Sequence, residues 1–272
     1  AAKVLSDMEE YLQTEWPHLE VYLNSITEQF STFNISGPKS RIILSKVFTN
    51  VDFSNSKFPF MTFINTDYED TKIRILRASF TGELGYEIYV PPKYALNLWL
   101  KIFDNGENLG LIPYGTETMH LLRAEKGYIV VGQDTDGTVT PIDLNLKWMI
   151  GKNKKDFIGK RSLTRSDTSR EDRKQLVGIL PLNKTQKIEE GQHILLDDRL
   201  PKKITDPVSV IGHVTSSYLS PTLGHYVAMG LIKNGNKLIG SEVPISTKNN
   251  EVIKAKIVKP LFLDPENKRL LS

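Results

Sequence analysis

Glu87 is the residue whose neighbours best equip it for chemistry. It stands in Ser79-Phe-Thr-Gly-Glu-Leu-Gly-Tyr-Glu-Ile-Tyr-Val-Pro91, where Gly82 and Gly85 form a tight turn that feeds a strand beginning near Tyr86. A carboxylate held there can accept two adjacent N–H donors with its two oxygens, which fixes the orientation of a planar ligand. The plainer reading is a solvated strand residue opposite core-facing Tyr86 and Ile88, and the pattern alone leaves both open. A phosphate loop is disfavoured, because a dinucleotide fingerprint needs three glycines between a strand and a helix, whereas this turn enters a strand. The glycines read instead as a β-turn that needs positive φ.

Other candidates lie in the sequel Pro113–Pro141 and just beyond it. Trp148 offers a flat apolar face to an aromatic ligand, or else packs in a core. Arg123 and Glu125, on a predicted helix, read as a structural pair tying helix to sheet. Asp134 and Asp136 imitate a calcium loop, but no bidentate glutamate follows at the twelfth position, so a turn between strands is expected. The five histidines are scattered without metal-ligand spacing. No nucleophile elbow appears. Ser216 and Ser217, in Gly212-His-Val-Thr-Ser-Ser-Tyr218, read as structural.

The elements that must position these residues follow from periodicity. Val4, Leu5, Met8, Tyr11 and Leu12 predict an opening helix that Pro17 ends. Strands are expected at Glu20–Leu23, Phe30–Ile35, Phe60–Ile64 and Ile73–Phe80, with a short helix over Ser40–Phe48 after the turn at Ser36. Ala95, Leu98, Trp99 and Ile102 form one helix face. Thr116 is the expected N-cap of a helix running to about Glu125. Arg165–Arg173 carries no apolar residue and reads as a linker. Beyond it, Gln175–Leu180, His193–Leu196, Val208–Val214, Tyr226–Ile232 and Val252–Val258 predict short strands of a small barrel or sandwich. The fold class is therefore α+β, divided into residues 1–164, a linker at 165–173, and a β-barrel at 174–272.

The 272 residues, 39% hydrophobic and 25% charged, suffice for a buried core. Thirty-five basic against 32 acidic residues leave a net charge of +3, too balanced for a nucleic-acid-binding face. Cysteine is absent, which excludes disulfides and thiolate–metal sites and fits a reducing, cytoplasmic setting. No apolar run approaches the roughly 20 residues of a membrane helix. The start Ala-Ala-Lys, with neither an initiator Met nor a signal-like segment, suggests a fragment or a processed piece.

With these motifs in place, the chain resembles the glycine-cleavage T-protein (aminomethyltransferase) family, a folate-binding fold. The likeness runs from Glu9–Pro17 to Leu261–Arg269 and includes Gly37-Pro-Lys-Ser-Arg41, Lys155-Asp-Phe-Ile-Gly-Lys160 and Arg173-Lys-Gln-Leu-Val-Gly178. Within the family it is most similar to the C-terminal part of the alpha subunits of heterotetrameric sarcosine oxidases. The resemblance implies ferredoxin-like α+β parts followed by the barrel. It implies tetrahydrofolate bound by Glu87, with Tyr86, Trp148 and Met119 at the site; Met119 occupies the place of the family's folate-contacting arginine. It implies that the imine or formaldehyde from sarcosine oxidation is passed to folate, giving 5,10-methylenetetrahydrofolate. FMN, FAD and NAD belong to the full complex with beta, gamma and delta subunits and are not bound by these residues alone. The family's catalytic aspartate lies in a segment N-terminal to these residues, so this stretch alone is expected to be silent. The family's C-terminal tyrosine has no matching residue near Pro260–Pro265. A stand-alone aminomethyltransferase-like protein and a docking module of the same fold are the alternatives.

Overall fold

A computed structural model describes residues 2–200 and 208–272. Residues 201–207, inside the expected barrel region, lie outside the described residues. The chain packs as two compact units: residues up to Ser79 with Leu84–Ile112, and Phe80–Glu83 with Pro113–Ser272.

The first unit opens with helix α1 (Ala2–Thr14), none of whose residues is buried. Its sheet contains β1 (Ser31–Ser36), β2 (Phe63–Tyr68), β3 (Thr71–Leu76) and β4 (Gly85–Val90), in the order β1-β4-β3-β2 with every pair antiparallel. Helices α2 (Ser40–Val47) and α3 (Pro92–Gly106) pack on each other and bury Leu44, Leu98 and Ile102. Successive strand residues face opposite ways. Ile35, Ile75, Tyr86 and Ile88 therefore enter the core, while Phe63, Arg74, Leu76, Glu87 and Tyr89 share the other face.

Three sequence expectations are corrected here. Glu20–Leu23 is irregular and pairs with no strand. The strand expected from Phe60 starts only at Phe63, because Met61 takes a φ of 62° and Thr62 N–H turns back to the Pro59 carbonyl. The strand expected to reach Phe80 ends at Leu76.

The second unit is built on a closed six-stranded barrel in the order β10-β5-β8-β7-β6-β9. The strands are β5 (Lys174–Pro181), β6 (His193–Leu195), β7 (Val210–Ser220), β8 (His225–Lys233), β9 (Glu242–Ser246) and β10 (Val252–Val258). Val177, Ile179, Ile194, Ile245 and Ile257 fill its interior. Helix α4 (Thr116–Glu125) lies against β7 and β8. Ala124 and Leu144 join Leu176, Met229 and Leu231 in a second cluster. By packing, residues 113–164 group with the barrel. The expected linker is pinned as well, since Arg173 pairs with buried Asp143 at 2.9 Å and with Asp167 at 2.9 Å.

Thr116 is the first residue of α4 rather than its cap: Gly115 holds the capping position with extended backbone and no side-chain cap. The tetrapeptide Phe80–Glu83 completes this unit. Phe80 stacks on Tyr128 at 6.2 Å, and Glu83 pairs with Arg269 at 2.9 Å. Among the described residues no helix is long and apolar enough to cross a membrane.

Candidate functional site

Glu87 owes its position to the start of β4. Gly82 takes a φ of 80°, as the turn reading requires. Gly85 serves a different purpose: a Cβ there would lie 2.8 Å from the Ala78 carbonyl oxygen, so a side chain would push β4 out of place. From Gly85 the strand alternates. Tyr86 and Ile88 turn into the core, and Glu87 and Tyr89 turn to the opposite face, where both are half-buried.

Tyr86 is a core residue. Its ring, with no exposed surface, lies 5.4 Å from Phe53 and 5.7 Å from Phe58, and its hydroxyl accepts a bond from Arg41 Nε at 3.3 Å. No face of that ring is left for a ligand, so the structure gives Tyr86 a packing role in place of the contact expected from sequence.

On the open face, one row across the sheet runs Asn34, Glu87, Leu76, Phe63, and the next runs Thr32, Tyr89, Arg74, Asn65. A hollow of about 820 Å³ lies there, lined by Ile26, Phe30, Phe63, Leu76, Arg74 and Tyr89 among others. The Tyr89 hydroxyl donates to Glu87 Oε2 at 2.6 Å, while Oε1 accepts nothing from the described residues. The carboxylate is thus held by one oxygen and keeps acceptor capacity on both, since each carboxylate oxygen has two lone pairs.

The bond to Glu87, then burial, then the glutamate's charge push Tyr89 up to about 12 from its ordinary 10.0. The sign follows from linkage. The raised value means that this contribution to stability is fully present below about pH 10 and is lost as pH rises towards about 12. Burial also raises Tyr68 and Tyr128, so ultraviolet phenolate absorbance is expected to show several late-titrating tyrosines, of which one ionises earlier in Glu87→Gln. An unchanged titration in that variant would remove the hydrogen bond from the account.

The remaining expected residues belong to the second unit. Trp148 sits on a 3-10 turn, Lys147–Met149, and is 74% exposed, so it is not a core tryptophan. Next to it in sequence, Met149 joins Ile129, Leu144, Phe157 and Ile158 around a hollow of about 710 Å³. Met119 is half-buried on α4.

Arg123 and Glu125 do not pair with each other. Arg123 binds Asp134 Oδ2 at 2.6 Å, with both side chains fully buried. Thr215 and Ser216 donate to Asp134 Oδ1, each at 2.6 Å. Glu125 accepts from Ser220. Asp134 is thus an internal anchor, and Asp136 is occupied with Thr138. Sequence reasoning did not foresee Tyr89 and Arg74 at the open face, although Tyr89 lies two residues from Glu87 and so had to share its side of the strand.

Comparison with known proteins divides the chain further along, near the stretch 155–173. The family described as GCVT N-terminal domain matches residues 1–154, and the glycine cleavage T-protein C-terminal barrel domain matches residues 174–264. A protein named sarcosine oxidase subunit alpha, from Corynebacterium sp. (strain P-1), is 45% identical over 270 residues, which cover 99% of this chain and 28% of that protein. The chain therefore spans little more than a quarter of that relative. An aminomethyltransferase of Halothermothrix orenii is 33% identical over 237 residues, covering 87% of this chain and 62% of its own. The crystal structure of the glycine cleavage system aminomethyltransferase T from Bartonella henselae superimposes with a TM-score of 0.74 at 22% identity. That likeness covers 94% of this chain and 66% of the other, and at such identity it speaks for the fold alone.

Proposed function

The chain belongs to the glycine cleavage T-protein family, and from that premise we propose that it is the folate-dependent one-carbon-transfer region of a larger enzyme subunit. The observation that carries this reading is Glu87. Its half-buried carboxylate is steadied by Tyr89, lies on the open face of the sheet, and retains acceptor sites on both oxygens. A pterin ring presents a ring N–H beside an amino group, and such a carboxylate fits both. The residues present are therefore compatible with tetrahydrofolate.

When bound, tetrahydrofolate supplies the amine nitrogens that accept a one-carbon unit. This chain's residues bind and orient it. Glu87 fixes the ring edge. Such positioning can lower a barrier by up to roughly 7–11 kcal/mol. The similarity to sarcosine oxidase alpha subunits extends the proposal: the carbon comes from sarcosine oxidised at a flavin in a partner subunit, and the product is 5,10-methylenetetrahydrofolate. In that assembly the partners are beta, gamma and delta subunits, and FMN, FAD and NAD are held outside the residues described.

A second reading, a docking module without folate turnover, draws on α1, which leaves Val4, Met8 and Tyr11 exposed. Calorimetric titration of tetrahydrofolate or folinic acid into the full-length protein separates the two. Saturable binding that depends on Glu87 is the expected result, and no heat of binding for either compound would leave only docking.

A further inference from the structure

We propose that Arg74 is a carboxylate-binding subsite on the open face of the first unit's sheet, and that it takes the glutamate tail of the folate whose ring edge Glu87 holds. The inference rests on the folate reading and adds to it the part of the ligand that this face selects. Arg74 is built for the task. Its guanidinium carbon lies over the Phe63 ring, 4.5 Å from the centroid, and its Nε donates to Asn65 Oδ1 at 3.0 Å. Those two contacts hold the group in place. Among the described residues neither terminal nitrogen has a partner. A guanidinium held over a ring and by one nitrogen leaves the paired N–H fork free, which is the geometry that matches a carboxylate with two parallel bonds.

Both groups lie within reach of one folate bent at the bridge between its pterin and aminobenzoyl rings. Glu87, Leu76 and Phe63 are aligned on β4, β3 and β2, so the strand bearing Glu87 and the strand bearing Phe63 are about 10 Å apart. Leu76 between them provides an apolar floor, and Phe30 and Ile26 line the same hollow. The face thus reads, in order, an acceptor for N–H donors, an apolar stretch, and a planar cation. A reduced folate presents the complementary order: a donor edge, an aminobenzoyl ring, and an acidic tail. Lys72 follows Arg74 on the same face, about 7 Å further along β3, and extends the positive edge. Its pairing with Asp67 is exposed at both ends, so a ligand carboxylate can replace it at little cost.

The test compares two probes on the full-length protein: tetrahydrofolate and tetrahydropteroate, which lacks the glutamate. Wild type is expected to bind tetrahydrofolate about tenfold more tightly, the worth of one charged hydrogen-bonded contact. In Arg74→Gln, tetrahydrofolate affinity is expected to fall to that of tetrahydropteroate; Arg74→Lys, which keeps the charge but loses the fork, is expected to recover only part of the difference. Equal affinities in wild type, or a preference that survives Arg74→Gln, would overturn the inference and leave the Glu87 reading standing. Failure of both probes to bind wild type would overturn the folate reading and this inference with it.

Discussion

Glu87→Gln is expected to weaken tetrahydrofolate binding about 100-fold while leaving the fold intact. The amide keeps one acceptor oxygen but puts an NH2 donor where the second N–H of a pterin edge needs an acceptor. A hydrogen bond to a charged group contributes about 1.5–3 kcal/mol, and each 1.4 kcal/mol is a factor of ten in affinity. Losing one such bond and facing donor to donor places the loss near the upper end of that range. Stability should change little, because Glu87 is only half-buried and an amide oxygen can still accept from the Tyr89 hydroxyl. Titration of both proteins, with thermal midpoints measured alongside, tests this. Equal affinities would withdraw Glu87 from the site.

Asp134→Ala is expected to destabilise the second unit by about 3–5 kcal/mol, the usual cost of removing one partner from a buried ion pair. Asp134 uses its carboxylate fully. Oδ2 takes Arg123 at 2.6 Å and the Val130 N–H at 2.9 Å, and Oδ1 takes the hydroxyls of Thr215 and Ser216. Truncation leaves a fully buried guanidinium beside two hydroxyls that have lost an acceptor. Asp134→Asn keeps the volume and removes the charge, so it isolates the electrostatic part and should recover only a fraction of the loss. By contrast, Asp67→Ala, which removes an exposed partner of Lys72, should cost no more than about 1 kcal/mol. Urea unfolding followed by circular dichroism reads all three. A loss below 1 kcal/mol for Asp134→Ala would show that the pair does not tie α4 to β7.

The contrast between those residues explains what the sequence discloses and what it does not. The direction of the Glu87 side chain was legible because its surroundings are local: a glycine turn entering an alternating strand sets which face it takes. The strands of the barrel were legible for the same reason, since alternation such as that of Ile253, Ala255 and Ile257 needs no distant partner to be seen. β9 was missed because Pro244 interrupts its pattern, and a proline argues against a strand until its place in the ladder is known. The role of Asp134 was hidden by distance along the chain: its partners Thr215 and Ser216 lie more than 80 residues away, and only closure of the barrel brings them together. The packing of the stretch 113–164 on the barrel was hidden because nothing local in α4 says what its buried residues meet. Its burial against Leu176 and Met229 is a tertiary fact.

The tetrapeptide Phe80–Glu83 has a consequence for inheritance. It is encoded between two strands of one unit, yet it serves the other. A recombination event that joined a foreign barrel after Ile112 would keep Phe80 and Glu83 but could lose the tyrosine and arginine they meet at Tyr128 and Arg269. It would also leave the Gly82 backbone facing a residue other than Lys126, whose methylenes now lie against it. The strand that carries Glu87 and the barrel are therefore bound to descend as one genetic block, and shuffling between relatives should preserve the pair or replace both.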